Sequence, residues 1–339
     1  NIPMNKTIQK IGIAGTGAWG TALAATARRA GRDVIIQAHE ADVVEAINNT
    51  HENSRFLPGI KLDKEIRATA NFADITACDA VLLVMPAQFL RTATTEMAKS
   101  WRDDVPAVIC AKGIEQKTGA LLSEVCAETL PGVAIAVLSG PTFAIEVARG
   151  LPTAITLASK ESDQAAALVT ALGTPTFRAY RSDDVIGVEL GGAVKNVLAI
   201  GCGIIEGRGL GDNARAAFIT RGLAEIARLA TAKGASPETL VGLSGVGDLT
   251  LTCNAMQSRN FSLGVALGAG RSLEEILGER SSVTEGVFTA SSTVRLAKSL
   301  NVDAPLCTAM DQILNNNADI EATIKGLLAR PVGAEDPLG

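Results

Sequence analysis

The chain has 339 residues, of which 47% are hydrophobic and 20% charged, and this composition excludes a disordered protein. A length of 339 residues favours two domains of about 100–200 residues each. The net charge of −5, without a basic stripe, argues against nucleic acid as the main partner but leaves room for a small anionic ligand.

Short β-rich runs alternate with helical patterns through the first half of the chain. The predicted strands are KIGIAG (10–15), VIIQA (34–38), AVLLVM (80–85), AVICA (107–111), IAVLS (135–139) and AITLA (154–158). Helical patterns lie between several of them, at 21–31, 118–130 and 142–150. This alternation predicts a doubly wound parallel α/β sheet, and the continuous apolar runs are typical of strands covered on both faces.

GTGAWG (15–20) lies between the first predicted strand and the first predicted helix, where a G-x-G-x-x-G dinucleotide fingerprint belongs. Gly15 allows the tight turn, Gly17 lets the backbone approach a pyrophosphate, and Gly20 lets the helix pack on the strand. The helix N-terminus offers free amides and a partial positive charge to the phosphates. The fingerprint therefore predicts a site for NAD or NADP.

The sequence leaves the choice between NAD and NADP open. Glu40 follows the second predicted strand, where an acidic residue can accept hydrogen bonds from the ribose of NAD. His39 and the nearby Arg28, Arg29 and Arg32 are candidates for holding the 2′-phosphate of NADP. His39 is explained equally well as a surface loop residue.

After about residue 181 the strand pattern stops, and the chain reads as helices interrupted by glycine. Asp183 or Asp184 is a candidate N-cap for the first of these helices, and Gly234 is a candidate helix stop. We therefore expect the domain boundary near residues 182–192.

Lys195 is the one charge in the apolar helical stretch LGGAVKNVLAIG (190–201). Burying an unpaired ammonium is costly, so this lysine needs a partner or access to water. Gly191 and Gly192 lie on the same helix face, and each costs about 1 kcal/mol relative to alanine. That cost makes sense where another backbone or a ligand comes close. We expect a buried lysine that faces a ligand; the alternative is a lysine that snorkels along a packing seam.

Polar candidates follow two of the predicted strands. Lys112 follows AVICA, at the carboxyl end of the sheet where ligands bind in this architecture, although a solvent-facing loop would also explain it. In LSGPTFA (138–144), Gly140 and Pro141 form a turn, and Pro141 suits the first position of a helix. Thr142 would then lie at a helix start, with backbone amides available to a ligand.

Further candidates lie in SGVGDLTLTCNAMQSRN (244–260). Asp248, in a glycine turn, could pair with a lysine or with a substrate hydroxyl. Ser258, Arg259 and Asn260 combine a hydroxyl, a guanidinium whose donor fork matches phosphate, and an amide. A solvated turn is the alternative explanation of this triplet.

The six cysteines lie far apart without a CxxC pair, and the chain has two histidines, so we predict no metal site. No cleavable signal peptide is recognised at the start, and the uncharged apolar runs are shorter than the roughly 20 residues that cross a bilayer. We therefore expect a cytoplasmic protein without a membrane span.

Together these motifs resemble one family, the NAD(P)-dependent glycerol-3-phosphate dehydrogenases of bacterial type. The matching segments are GTGAWGTALA, AKGIE, LSGPTFA, VELGGAVKNVLAIG, GDNARAAFITRGLAE, GVGDLTLTC, QSRN and VTEGV. The resemblance implies a Rossmann-type dinucleotide-binding domain over residues 8–187. It implies an all-helical, 6-phosphogluconate-dehydrogenase-like substrate-binding domain over residues 188–335. It also implies reversible NAD(P)H-dependent reduction of dihydroxyacetone phosphate to sn-glycerol 3-phosphate for glycerophospholipid synthesis, by a homodimer.

The resemblance assigns roles to individual residues, with Lys195 as proton donor and acceptor. The implied substrate contacts are Lys112, Gly140, Thr142, Lys195, Asp248, Ser258, Arg259 and Asn260. Beside the fingerprint glycines Gly15, Gly17 and Gly20, the implied cofactor contacts are Ala18, Trp19, His39, Lys112, Ala144, Arg259, Val283 and Glu285. Ala18 stands where the family often has serine, which removes a hydroxyl near the pyrophosphate but leaves the backbone amides. Whether Asp248 orients Lys195 or only contacts substrate stays open.

Two other functions fit part of the pattern. A dehydrogenase for a hydroxy acid or sugar acid would share the glycine fingerprint and a helix lysine, without requiring both GGAVKN and QSRN. A catalytically silent dinucleotide-binding or redox-sensing protein would keep the fingerprint but lose the proton donor.

Overall fold

The computed structural model of the chain describes residues 7–280 and 284–331. Packing divides the chain into two compact units. The first contains the chain up to Ala111 together with Leu122–Val185, and the second contains Lys112–Leu121 and the chain from Ile186 onward. Lys112–Leu121 thus packs with the second unit although it interrupts the first in sequence, which the residue pattern did not indicate.

The first unit is built on one eight-stranded sheet. Its strands are β1 (Lys10–Ala14), β2 (Asp33–Gln37), β3 (Arg67–Thr69), β4 (Ala80–Leu83), β5 (Ala107–Ile109), β6 (Ile135–Ser139), β7 (Thr153–Ser159) and β8 (Phe177–Ser182). The order is β3-β2-β1-β4-β5-β6-β7-β8. The first six strands thus have the order of a dinucleotide-binding fold. All six predicted strands are present, so the predicted α/β sheet is confirmed.

One detail of the predicted sheet was wrong, since β6 and β7 pair antiparallel while the other neighbours pair parallel. A parallel pair needs a crossover long enough to return the chain to the starting edge of the sheet. The helix between β6 and β7 has only five residues, Ala144–Ala148, and the chain turns back instead. The pattern of apolar residues is similar in both arrangements, so the sequence did not distinguish them.

Among the described residues, seven helices accompany the sheet. They are α1 (Ala18–Arg29), α2 (Ala41–Thr50), α3 (Phe72–Thr76), α4 (Leu90–Met97), α5 (Leu122–Thr129), α6 (Ala144–Ala148) and α7 (Ser162–Leu172), with a short 3₁₀ turn at Ala87–Phe89. Gly20–Ala27 of α1, small residues apart from Leu23, are all buried, so this helix lies close to the sheet. Close packing fixes the N-terminus of α1, which follows the glycine loop directly.

Helices form the second unit. They are α8 (Val185–Gly207), α9 (Asp212–Ala232), α10 (Asp248–Thr252), α11 (Arg259–Gly268), α12 (Leu273–Gly278), α13 (Glu285–Ser299), α14 (Pro305–Asn315) and α15 (Ile320–Leu328). A 3₁₀ turn at Pro237–Val241 and a π-helical turn at Leu243–Gly247 precede α10. The predicted all-helical character of this half is confirmed. Gly234, at φ +90°, follows the end of α9 in the left-handed conformation expected of a helix stop.

The helix α8 is the core of the second unit. Among the described residues it is the one helix long and apolar enough, by length and composition alone, to cross a membrane. Its apolar window is completely buried inside the protein, as in the core helix of a folded domain.

Glycines allow α8 and α11 to pack backbone against backbone. A Cβ atom on Gly264 would overlap the carbonyl oxygen of Ile200, and one on Gly203 would overlap the carbonyl oxygen of Phe261. Gly207 and Gly268 repeat the arrangement one turn further along each helix. The two helices therefore approach each other without a layer of side chains between them.

Candidate active site

The glycine loop of the first unit has the geometry of a phosphate cradle. Gly15 has φ +112°, a conformation that L side chains rarely adopt, and a Cβ there would lie 3.0 Å from the Met85 nitrogen. A Cβ on Gly20 would overlap the Gly15 carbonyl oxygen, so glycine is required for the helix to approach the loop. At Gly17, the N-cap of α1, a Cβ would meet no described atom within 4 Å. Neighbouring protein atoms therefore leave no room for a side chain at Gly15 or Gly20. Beside Gly17 the space is open, and a diphosphate could approach the loop there.

The other residues considered for the cofactor in this unit lie at the helix start and beyond β2. Ala18 and Trp19 are the first two residues of α1, and both are half-buried. The Trp19 Nε1 atom is buried and finds no hydrogen-bond partner within the described chain. His39 is exposed just beyond the end of β2, and Glu40 is the N-cap residue of α2.

The three arginines considered for a 2′-phosphate are occupied elsewhere. Arg28 and Arg29 lie in the last turn of α1, and Arg32 follows it. Arg29 donates to two carbonyl oxygens at the C-terminus of α6, at 2.5 and 2.8 Å, and Arg32 donates to the Ala171 carbonyl of α7 at 3.1 Å. Arg28 lies 3.7 Å from an Asp33 carboxylate oxygen. Because a twelve-residue helix is about 18 Å long, these residues stand far from the glycine loop.

The turn after β6 differs from its prediction. The helix α6 begins at Ala144 with Phe143 as N-cap, so Pro141 does not occupy the first helical position and Thr142 precedes the helix. The Thr142 hydroxyl donates to the Gly140 carbonyl at 3.3 Å. A Cβ on Gly140 would lie 3.0 Å from the Ile155 Cα, so the approach of β7 explains this glycine.

In the second unit, Lys195, Lys112 and Asp248 come together in one buried cluster. Asp248, the first residue of α10, is completely buried and accepts from the Lys112 Nζ at 2.6 Å through Oδ2. Its Oδ1 accepts from the Lys195 Nζ. The side chains of Lys195 and Lys112 are only 7% and 15% exposed. Lys195 is therefore a buried, paired lysine and not a snorkelling one.

Thr252 completes the surroundings of Lys195, and sequence reasoning missed it. The Lys195 Nζ donates to Thr252 Oγ1 at 2.8 Å, and that hydroxyl donates to the Asp248 carbonyl at 2.6 Å. Thr252 stands four residues after Asp248, so both side chains lie on one face of α10. Among the described residues, Asp248 and Thr252 hold two of the three N–H groups of the ammonium.

The charge balance of the cluster determines the acidity of Lys195. Burial lowers its pKa to about 8, the Asp248 carboxylate opposes this shift, and the Lys112 ammonium adds to it. Cys253 lies beside the cluster, and a hydrogen bond with Cys202 together with burial raises the pKa of its thiol. The thiol is therefore neutral near pH 7, and two lysines with one carboxylate leave a net positive site.

A neighbouring backbone explains one of the glycines next to Lys195. A Cβ on Gly191 would lie 2.6 Å from the carbonyl oxygen of Ser244, in the π-helical turn before Asp248. The sequence predicted that another backbone or a ligand comes close at this position, and the structure places a backbone there. Glycine lets that turn approach α8 closely just before the chain reaches Asp248.

The polar triplet at the start of α11 divides into different roles. Ser258 is the N-cap, and its hydroxyl accepts from the Phe261 N–H at 3.2 Å. Asn260 is buried; its Nδ2 donates to Asn196 Oδ1 and its Oδ1 accepts from the Gly286 N–H, both at 3.0 Å. These two side chains thus hold the helix starts in place, whatever else they contact.

Arg259 is the member of the triplet that reaches outward, since it is exposed at the first position of α11. Nearby protein atoms lower the pKa of its guanidinium by desolvation, and Glu285 at the start of α13 opposes this shift. Glu285 and Arg259 are thus close enough to interact. Val283, the remaining residue considered for the cofactor, lies outside the described residues.

Comparison with known proteins places both units in one family. The model for the N-terminus of NAD-dependent glycerol-3-phosphate dehydrogenase matches residues 10–165, and the model for its C-terminus matches residues 184–325. A glycerol-3-phosphate dehydrogenase [NAD(P)+] of Rhodospirillum rubrum is 57% identical over 98% of this chain and 95% of its own length. That of Paramagnetospirillum magneticum is 65% identical over 75% of this chain and 93% of its own length.

Solved structures agree with this assignment. The crystal structure of glycerol-3-phosphate dehydrogenase from Coxiella burnetii has a TM-score of 0.92 and 38% identity, and covers 97% of this chain and 100% of that one. A D-mandelate dehydrogenase with NADH has a TM-score of 0.60 at 16% identity, covers 91% of this chain and 98% of that one, and shows only a shared fold. The chain therefore belongs to the family of NAD-dependent glycerol-3-phosphate dehydrogenases.

Proposed function

We propose that this chain catalyses the reversible NAD(P)H-dependent reduction of dihydroxyacetone phosphate to sn-glycerol 3-phosphate. The observation that carries the proposal is the buried Lys195–Asp248–Lys112 cluster, with its net positive charge and a lysine of lowered pKa. Reduction of a ketone adds a hydride to carbon and a proton to oxygen, and the cluster suits the second task. The names of the relatives supply the substrate and the cofactor class.

Lys195 is the proposed general acid. Its ammonium stabilises the negative charge that develops on the carbonyl oxygen and then donates the proton. In the oxidation direction the neutral amine accepts the proton from the hydroxyl. A pKa of about 8 keeps both forms accessible near neutral pH. Asp248 and Thr252 accept from two N–H groups of Lys195, and we assign the third to the substrate oxygen.

The first unit is proposed to hold the cofactor. The loop residues Gly15, Gly17 and Gly20 and the N-terminus of α1 fit the diphosphate, with Trp19 at the same end of the helix. When bound, the reduced nicotinamide supplies the hydride. His39 is a candidate for the adenosine end. Cofactor contacts by Ala144, Val283 and Glu285, and substrate contacts by Gly140 and Thr142, are part of the proposal.

A spectrophotometric assay tests the proposed function. We expect oxidation of NADH or NADPH, followed at the absorbance of the reduced nicotinamide, with dihydroxyacetone phosphate but not with 2-keto acids. Running both cofactors side by side measures the preference between them. Turnover of a 2-keto acid alone would assign the chain to a different dehydrogenase, and binding without turnover would indicate a silent dinucleotide-binding protein.

Arg259 is the proposed clamp for the substrate phosphate, because it is the exposed guanidinium at the N-terminus of α11. For Arg259→Ala we expect the KM for dihydroxyacetone phosphate to rise about 10- to 100-fold, since charge-assisted hydrogen bonds contribute roughly 1.5–3 kcal/mol. Steady-state kinetics at saturating cofactor measures this. Arg295→Ala, on α13, is the surface control, and an unchanged KM for Arg259→Ala would contradict the clamp.

We further propose a cytoplasmic homodimer that supplies the glycerol backbone of phospholipids. All six cysteines lie within the described residues, buried and outside any disulfide, which suits a reducing compartment. The dimer rests on the family resemblance alone. Light scattering coupled to size-exclusion chromatography would measure its mass, and a monomer at micromolar concentration would contradict it.

A further inference from the structure

A buried amide that the proposed chemistry does not use supports the glycine loop of the first unit. Asn53 follows α2 and is 1% exposed. Its Nδ2 donates to the Thr16 carbonyl oxygen at 2.7 Å and to Thr21 Oγ1 at 2.8 Å. Its Oδ1 accepts from the Phe56 N–H at 3.2 Å. Both amide hydrogens are therefore committed to the loop and to the first turns of α1.

The bond to Thr16 determines which way the next peptide group points. In a trans peptide the carbonyl oxygen and the following N–H point in opposite directions. Because Asn53 binds the Thr16 carbonyl oxygen, the Gly17 N–H points away from Asn53. A Cβ on Gly17 would meet no described atom within 4 Å, so space beside this residue is open. The Thr21 hydroxyl donates to the same carbonyl at 3.3 Å and supports this orientation.

We propose that Asn53 is a positioning residue for the cofactor, holding the Gly17 N–H ready for the diphosphate before binding. A backbone N–H that is already fixed loses less conformational entropy when the cofactor binds, so the affinity for the cofactor is higher. Asn53 acts through the backbone and does not itself contact the ligand. The inference rests on the proposed function only for the identity of the cofactor as NAD(P)H.

Asn53→Asp is the sharpest test, because aspartate has the same shape, still accepts from the Phe56 N–H, and loses both donors. We expect the dissociation constant for NADH, measured by quenching of tryptophan fluorescence, to rise about tenfold or more. The turnover number at saturating NADH should change less than about threefold, because the Lys195 cluster is untouched. When the pH is lowered from about 8 to about 6, the buried carboxyl protonates and regains a donor, so the affinity of this variant should partly recover.

Asn48→Asp, at an exposed position, is the control for the same chemical change. The Asn48 amide binds the backbone of Ala68 in β3, donating at 2.9 Å and accepting at 2.8 Å, and it does not touch the glycine loop. We expect a lower melting temperature with an unchanged NADH dissociation constant. Equal loss of affinity in both variants would reduce Asn53 to a general structural role and overturn the inference.

Thr21→Val is the second variant, for use if Asn53→Asp does not fold. It keeps the shape of the side chain and removes the hydroxyl that Asn53 and Thr16 share. A smaller rise in the NADH dissociation constant is expected. A folded Asn53→Asp, or in its absence a folded Thr21→Val, that binds NADH within twofold of the parent overturns the inference. If the parent binds NADH but does not reduce dihydroxyacetone phosphate, the proposed function fails, while the comparison of dissociation constants still tests Asn53.

Discussion

Replacement of Lys195 by methionine is expected to lower the turnover number for dihydroxyacetone phosphate by about 10²–10⁴, the usual contribution of a positioned general acid. Methionine fills a similar volume, so the packing of α8 should persist. Asp248 keeps Lys112 as its partner at 2.6 Å, so the substitution leaves no unpaired buried carboxylate. Steady-state rates at saturating dihydroxyacetone phosphate and NADH measure the loss.

Lys195→Arg distinguishes proton donation by Lys195 from the effect of its positive charge, and Lys298→Met serves as a control. Lys195→Arg keeps a positive charge but not an acid that titrates near neutral pH, so it should remain as slow as the methionine variant to within about tenfold. Lys298→Met, on the exposed side of α13, should behave like the parent. If Lys195→Met turns over within a few-fold of the parent, another group donates the proton.

Asp248→Asn is expected to have the second large effect, on both pH dependence and stability. The carboxylate raises the pKa of Lys195 against burial and against Lys112, so its removal should take that pKa below about 8. Reduction needs the protonated lysine, so the rate of the parent should fall as the pH rises through about 8. The fall for Asp248→Asn should begin at lower pH. Rates measured across this range, with cofactor saturating at each pH, show the displacement.

The melting temperature tests the role of Asp248 independently of the pH profile. Removing the carboxylate takes away the charged partner that Lys195 and Lys112 share, and breaking a buried ion pair costs roughly 3–5 kcal/mol. The melting temperature of Asp248→Asn should therefore fall clearly. Asp303→Asn is the matched control, because that carboxylate pairs with Arg330 at 2.7 Å on the surface and should matter little. A pH profile that stays in place would mean that Asp248 does not act on Lys195.

Much of the fold could be predicted because it depends on local pattern. Six strands have continuous apolar runs, and the second half of the chain has helical spacing with glycine stops. β3 was not predicted because it has only three residues, Arg67–Thr69. β8 was not predicted because it is an edge strand. Its exposed Arg178, Tyr180 and Arg181 stand where a strand covered on both faces would have apolar residues. Neither strand carries the signal on which the prediction depended.

Residues of the candidate site could be predicted where the residue type was unusual for its sequence surroundings. A lysine in an apolar helix and an aspartate in a glycine turn drew attention, and the structure brings them together. Thr252, Asn196 and Asn53 did not stand out, because threonine and asparagine are ordinary in turns and near helix ends. Their importance arises from contacts with residues 32–64 positions away, which no local pattern encodes.

The backbone contact between α8 and α11 has a consequence for how tolerant the second unit is to mutation. Lys195 lies on α8 and Arg259 begins α11, and the glycines that join these helices have no side chain that could rearrange. In most cores a substitution is absorbed by neighbours that change rotamer. Here a single added methyl group has to separate two helices, and it changes the distance between the two charged groups. Substitutions far from both side chains can thus damage activity while leaving every polar contact chemically intact.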